Sequence, residues 1–402
     1  MTAYTALKTR IDQGDIIVLD GATGTELQRR GAPMDPAAWC GPATLENDHI
    51  LKAIHADYIE AGSDVVTANT FAASKIMLKA AGLADRSEEI VTRAVEAALK
   101  ARAASGKSSV VVAGSLSHMV PVAEGTAKVD PSKIPSEAEI SDAFHSVAHT
   151  AKRTGAELIL LEMMYEPKRT KLAVEAALST GLPVWFGMSA RRGSDGKVKA
   201  FHHLEDLPIA EIITLIPAQG IDVAGVMHTG AEVISDTIEE IKKQFNGPLA
   251  AYPDSGYFEM PDWKFVDIIS PDRYGQFVRQ WLKDGVQMIG GCCGLGLDHI
   301  REAKKAADAT RALGRQYSKY MRIAASSTFR TENPYYDEYL GFWRIPTLGD
   351  APPTADSLFP LDPIANRKQW GTDVKLGLES GGGSTPEALS AAIAEEIADV
   401  QL

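Results

Sequence analysis

Short runs of nearly unbroken apolar residues recur along the chain: DIIVLD at 15–20, DVVTAN at 64–69, SVVVAGS at 109–115, ELILLE at 157–162, PVWFGM at 183–188, DVAGVMH at 222–228, PLAAYP at 248–253 and VQMIGG at 286–291. None shows the apolar–polar alternation of a half-exposed sheet, so each is expected to be a strand buried on both faces, as in a parallel sheet. Between them the spacing changes to that of amphipathic helices. LENDHILKAIHADYIEAG closes on Gly62, SEEIVTRAVEAALKARAASG closes on a second glycine, and SEAEISDAFHSVAHTAKRTG opens with Ser136 and Glu139 spaced as a capping box. Eight such strand–helix units predict an α/β chain folded as a (β/α)8 TIM barrel over 1–318. An open doubly wound sheet is the rival, but no GxGxxG follows the first strand.

After about residue 319 the pattern is lost. Proline and aromatic residues dominate an irregular C-terminal extension, 319–402, expected to pack on the barrel or on a second subunit. Within it, ESGGGST at 379–385 reads as a hinge, and the last residues from Pro386 as a terminal helix, docked on its own chain or forming a homo-oligomer contact.

In a barrel of this kind the site lies where the strands end. The residues closing the strands are Asp20, Asn69, Ser115 with His118, Glu162, Ser189, His228, Asp254, and Cys292 with Cys293. Two of the three cysteines stand side by side in GGCCG, fenced by glycines that permit unusual backbone angles. Neighbouring side chains on a regular strand point to opposite faces, so both thiols reach one ion only if the chain leaves strand geometry there. Thiolates favour zinc, and a catalytic zinc takes about three protein ligands plus an open position. The third ligand is expected from His228 or from Cys40. Buried inert thiols and a vicinal disulfide are the alternatives. Asp20 and Glu162 end strongly apolar runs; such acids clamp a substrate ammonium, act as acid and base, or bind a hard cation. Their structural alternatives are a helix cap and a salt bridge.

Composition narrows the field. A net charge of −12 argues against a nucleic-acid footprint. Three cysteines make no disulfide framework, which suits a reducing cytoplasmic setting. The first fifteen residues lack an apolar core, so no secretory signal is expected, and no apolar run approaches the roughly 18 residues of a membrane span.

DGATGTELQRRG at 20–31, EAGSDVVTANTFAAS at 60–74, YPDSG at 252–256 and GGCCG at 290–294 together resemble the homocysteine S-methyltransferase family, over roughly residues 10 to 310. The resemblance implies a zinc-dependent methyl transfer from an onium-type donor to the thiol of homocysteine, giving methionine. Zinc would bind the thiol in its open position and lower its pKa, and Asp20 and Glu162 would hold the amino group. Trp39 falls where the family carries a tryptophan near the donor, and an aromatic face suits an onium group. Asn69, Ser115 and Asp254 join these as substrate-binding candidates. This chain departs from the family at the mouth. Met227-His228 replaces an Asn-Cys pair, GSLSHMVP lacks the usual Gly-Pro, and Asp254 replaces an asparagine. A different thiol acceptor or donor, a zinc hydrolase with His118 or Asp254 as base, and a thiol-binding subunit of a larger methyl-transfer system are the competing readings.

Overall fold

The computed structural model describes residues 2–123, 125–126, 128–202, 206–326, 335–337 and 342–344. All eight expected strands form: β1 (Ile17–Val18), β2 (Val65–Ala68), β3 (Val111–Ser117), β4 (Leu158–Met164), β5 (Val184–Met188), β6 (Val223–Gly230), β7 (Leu249–Asp254) and β8 (Met288–Ile289). They pair in parallel in one sheet, in the order β1-β8-β7-β6-β5-β4-β3-β2. A parallel bridge between Leu19 and Val65 joins the two ends of that sheet. The result is the expected (β/α)8 barrel.

The apolar runs are unbroken because both faces of each strand are covered. Alternate residues serve two cores. Ile17, Leu19, Val65, Val111, Leu158, Leu160 and Met288 fill the barrel interior. Val18, Val66, Val112, Ile159, Leu161 and Ile289 face the surrounding helices. The expected helix signals operate as written. Ser136 and Glu139 close the capping box of the helix Glu137–Thr154, and Gly62, Gly106 and Gly155 end their helices at φ of 103°, 69° and 116°.

A leading helix, Ala3–Asp12, lies under the barrel, with Tyr4, Leu7 and Ile11 packed into the interior cluster. The Tyr4 hydroxyl donates to Asp222 at 2.6 Å and accepts from Trp185 Nε1 at 3.0 Å, at the end of the barrel where β6 begins. Two short hairpins grow from the opposite end: Ala190–Arg192 with Val198–Ala200, and Tyr257–Glu259 with Asp262–Lys264.

The chain divides into two compact units, Met1–Asp308 and Ala309–Leu402. Of the second, the structure describes the end of the helix Leu297–Ser326 and a hairpin of Tyr335–Asp337 with Phe342–Arg344. The expected hinge at 379–385 and the terminal helix lie outside the described residues. No helix among the described residues is long and apolar enough to cross a membrane.

Candidate metal centre and substrate chamber

β8 stops at Ile289, and the chain then turns across the ends of its neighbours. Gly291 N–H donates to Asp20 O at 3.1 Å, Cys292 N–H to Pro253 O at 2.7 Å, and Ser255 N–H to Cys293 O at 2.9 Å. Gly294 takes φ 81°, and a Cβ there would lie 1.9 Å from Ser255 O, so no other residue fits. This turn brings the two thiols together, as the sequence requires for a shared ion: Cys292 Sγ and Cys293 Sγ are 3.9 Å apart. All three cysteines are free.

His228 reaches them from β6. Val223 and Met227 point into the barrel, so strand alternation would send His228 outward, towards the helices. Instead the ladder slips between Met227 and Gly230, and His228 adopts φ 44°, in the left-handed region rare for a residue with a side chain. The bulge re-aims the imidazole inward. His228 Nδ1 stands 3.8 Å from Cys292 Sγ, and the three ligand atoms lie within 4.8 Å of one another. In a tetrahedral zinc site, bond lengths set ligand–ligand edges of roughly 3.5–3.8 Å for such a donor set. The side chains therefore fit the ion with little movement. Cys40 does not join them. It is fully buried, its thiol approaches Asn69 Oδ1 at 3.4 Å, and burial pushes its pKa up to about 12.

Burial alone would lower the His228 pKa. Asp254, whose Oδ2 is 3.3 Å from Nδ1, then Cys292 and Glu162, outweigh it and raise the pKa to about 9. The imidazole thus sits in a strongly electronegative pocket, which also favours a metal cation.

Beside this cluster are the two carboxyl groups. Glu162 continues the inward series of Leu158 and Leu160, and accepts a hydrogen bond from Ser115 Oγ at 2.5 Å. Asp20 accepts from Thr67 N at 2.6 Å and Thr67 Oγ1 at 3.0 Å. Neither is in an ion pair among the described residues, and Asp20 caps no helix there. Burial raises the Glu162 pKa to about 7 against the pull of Ser115 and His228. It raises Asp20 to about 8, opposed by the Thr67 hydrogen bonds and assisted by the charge of Glu162. A free carboxyl titrates near 3.9, so between about pH 4 and 8 the unfolded chain loses a proton that the ligand-free fold retains at Asp20. Stability is therefore lost as pH rises through that window. The Asp20→Asn variant is expected to gain on the wild type between pH 5 and 9, by on the order of a few kcal/mol, in ligand-free urea denaturation. A constant difference would contradict the burial-driven shift.

Both groups open on a chamber of about 400 Å³ at the barrel mouth, which His228, Cys292, Cys293, Asn69 and Asp254 also line. Its remaining wall is aromatic. Trp39 meets Phe71 and Phe258 edge-on, with ring centroids 5.9 and 5.4 Å apart. Phe201 and Trp263 flank His228 at 5.6 and 5.9 Å. Asn69 lines the chamber but spends its amide on the loop after β1, donating to Cys40 O at 3.2 Å and Thr44 Oγ1 at 3.0 Å. His118 is fully buried and does not line the chamber. Its Nε2 accepts the N–H groups of Tyr165 and Glu166 at 3.0 and 3.2 Å, which leaves that nitrogen no lone pair for a general base.

The profile of the homocysteine S-methyltransferase family matches residues 17–307. The chain belongs to that family. Among curated members, it is 27% identical to homocysteine S-methyltransferase 2 of Zea mays over 73% of this chain and 90% of the relative. It is 26% identical to the homocysteine S-methyltransferase of Escherichia coli over 73% and 96%. A selenocysteine Se-methyltransferase of Brassica oleracea is 25% identical over 78% and 94%. The metallated form of the Escherichia coli homocysteine methyltransferase MmuM superposes with a TM-score of 0.58 at 21% identity, over 74% of this chain and 99% of MmuM, an agreement in fold. Like other members of the homocysteine S-methyltransferase family, the protein is a methyltransferase.

Several chamber residues escape a reading based on strand ends. Phe258 and Trp263 come from the hairpin after β7, and Phe71 from the loop after β2. Tyr252 lies within β7, its hydroxyl buried without a partner while the ring lines the chamber. The usable signal was the aromatic run YFEMPDW following the YPDSG motif.

Proposed function

We propose that this methyltransferase moves a methyl group from an onium-type donor to the thiol of homocysteine, giving methionine, and that His228, Cys292 and Cys293 hold a zinc ion for the purpose. The observation that carries the reading is the approach of three zinc-type ligands to one point beside two buried carboxyl groups that lack a cation.

Zinc at that position supplies a Lewis acid that binds the acceptor thiol and lowers its pKa. The other tasks fall to the chain itself. Asp20 and Glu162 receive the ammonium of the amino acid, which replaces the counter-charge that burial denies them. Ser115 and Thr67 fix the two carboxyl groups by hydrogen bonds, so little order is lost when substrate arrives. Trp39, Phe71 and Phe258 line the chamber, where an aromatic ring face attracts the onium cation. In the transfer, the acceptor sulfur supplies the electron pair of the new sulfur–carbon bond. The onium–carbon bond breaks towards the donor heteroatom, the donor leaves neutral, and the thiol proton departs to solvent. Selenocysteine is a second acceptor to assay, since relatives carrying that name share the family.

Removal of metal tests the reading. The purified protein is expected to carry about one zinc per chain. A chelator should remove it together with homocysteine methylation from sulfonium or betaine donors, and added zinc should restore both. Methylation that persists without metal overturns the zinc assignment, and a metal-loaded protein inert with every onium donor overturns the donor class.

A further inference from the structure

The strand ends that carry Glu162 and His228 share an irregularity. The β4–β5 ladder slips between Leu161 and Met164, and the β6–β7 ladder between Met227 and Gly230. Met163, directly after Glu162, takes φ 60°, and His228, directly after Met227, takes φ 44°. Residues with side chains persist in this left-handed region only where their surroundings hold them.

One side chain joins the two slips. β5 lies between β4 and β6 in the sheet. Trp185 of β5 faces the barrel interior and Phe186 the helices, so alternation turns Gly187 inward. Met227 reaches over that glycine: a Cβ there would stand 3.0 Å from Met227 Cγ. On the far side, the Met163 N–H donates to Met227 Sδ at 3.0 Å. The methionine is itself anchored. Its carbonyl accepts from Ser189 Oγ at 3.0 Å and from Thr229 Oγ1 at 2.8 Å, and all three residues are buried. A thioether is a weak acceptor, but an amide deprived of its acceptor inside the barrel pays for its lost hydration. The clasp thus runs from the neighbour of the Glu162 carboxyl to the neighbour of the His228 imidazole, behind the chamber lining.

We propose that Met227 is a positioning residue that fixes the span between the amine seat and the metal, and so the length of thiol acceptor that the chamber takes. The proposal rests on the functional reading above, in which Glu162 meets the ammonium and His228 the zinc. Homocysteine must make both contacts at once, whereas cysteine is one carbon shorter. A ligand held at two points feels a change of span, and one held only by its thiol does not.

The test measures calorimetric binding of homocysteine, cysteine and the amine-free 4-mercaptobutyrate to zinc-loaded wild type, Met227→Leu and Met227→Asn. Leucine keeps the volume but offers no acceptor, whereas asparagine carries an oxygen at the δ position of the sulfur. Met227→Leu is expected to keep its zinc and to bind homocysteine about 3- to 10-fold more weakly, the worth of one hydrogen bond. Its affinity for 4-mercaptobutyrate should not move, and its preference for homocysteine over cysteine should narrow. Met227→Asn should recover part of the loss. Deuterium exchange at the Met163 amide should quicken in Met227→Leu and slow again in Met227→Asn, a readout that needs no ligand. Equal losses with homocysteine and 4-mercaptobutyrate, or loss of zinc, overturn the proposal, because Met227 then only supports the chamber. So does a Met227→Leu variant that discriminates as the wild type does, or a Met227→Asn variant no better than Met227→Leu. A wild type that binds homocysteine no better than 4-mercaptobutyrate overturns the functional reading itself, and this proposal with it.

Discussion

Replacing His228 with alanine is expected to empty the metal centre and slow methyl transfer by more than about 100-fold, since even partners of metal ligands are worth 10- to 100-fold. Asp254, 3.3 Å from the His228 nitrogen, is the nearest described carboxylate, and a shift to it would leave a weaker site than the imidazole does. Cys40 is turned to Asn69, and its thiol is held protonated by burial. Metal analysis of the purified variant and its rate at saturating homocysteine check both parts together. His228→Cys should keep the zinc but change the chemistry. Two thiolates and a neutral imidazole leave a zinc centre with a net charge of about 0, whereas three thiolates leave about −1. The wild-type centre should therefore acidify a bound thiol more and leave a weaker nucleophile. The pH–rate profile of His228→Cys is expected to shift upward relative to wild type, with a higher limiting rate. A zinc content and rate indifferent to His228→Ala would remove His228 from the ligand set.

Glu162→Gln should leave zinc in place and lower kcat/KM for homocysteine about 10- to 100-fold, chiefly through KM, the range expected for one charge-assisted bond to a buried group. The neutral amide still accepts from Ser115, so the chamber wall is preserved. What is lost is the negative charge that meets the ammonium. A thiol acid without the amino group, 4-mercaptobutyrate, provides the control, since its methylation should be nearly unaffected. A similar loss with both acceptors would show that Glu162 supports the chamber and does not bind the amine.

The barrel was legible because its strands are apolar on both faces, so each run stood out against the helical spacing around it. The meeting of the carboxyl groups and the cysteine pair on one chamber was legible because the strand ends converge at the barrel mouth. His228 was named for the same reason, but its inward aim is not written in any period. Strict alternation along Val223, Gly225 and Met227 sends it the other way, and only the slipped ladder at Met227–Gly230 corrects this. Asn69 shows the converse. It closes a strand, as expected, yet spends its amide holding the loop that carries Cys40. The aromatic wall was missed because its members sit in loops and three-residue hairpins, too short for any periodicity to develop, and meet only when those segments fold over the mouth.

The helix Ala3–Asp12 bears on how substrates move. With Tyr4 tied to Asp222 and Trp185, the foot of the barrel is stoppered among the described residues, and the chamber opens at the mouth. Two reactants that share one entrance cannot arrive in either sequence with equal ease. Seated as proposed at the carboxyl groups and thiols of the inner wall, the amino acid would be the first arrival and the donor the second. On the proposed reaction, the spent donor would clear the threshold before methionine leaves, an order that product-inhibition patterns would read.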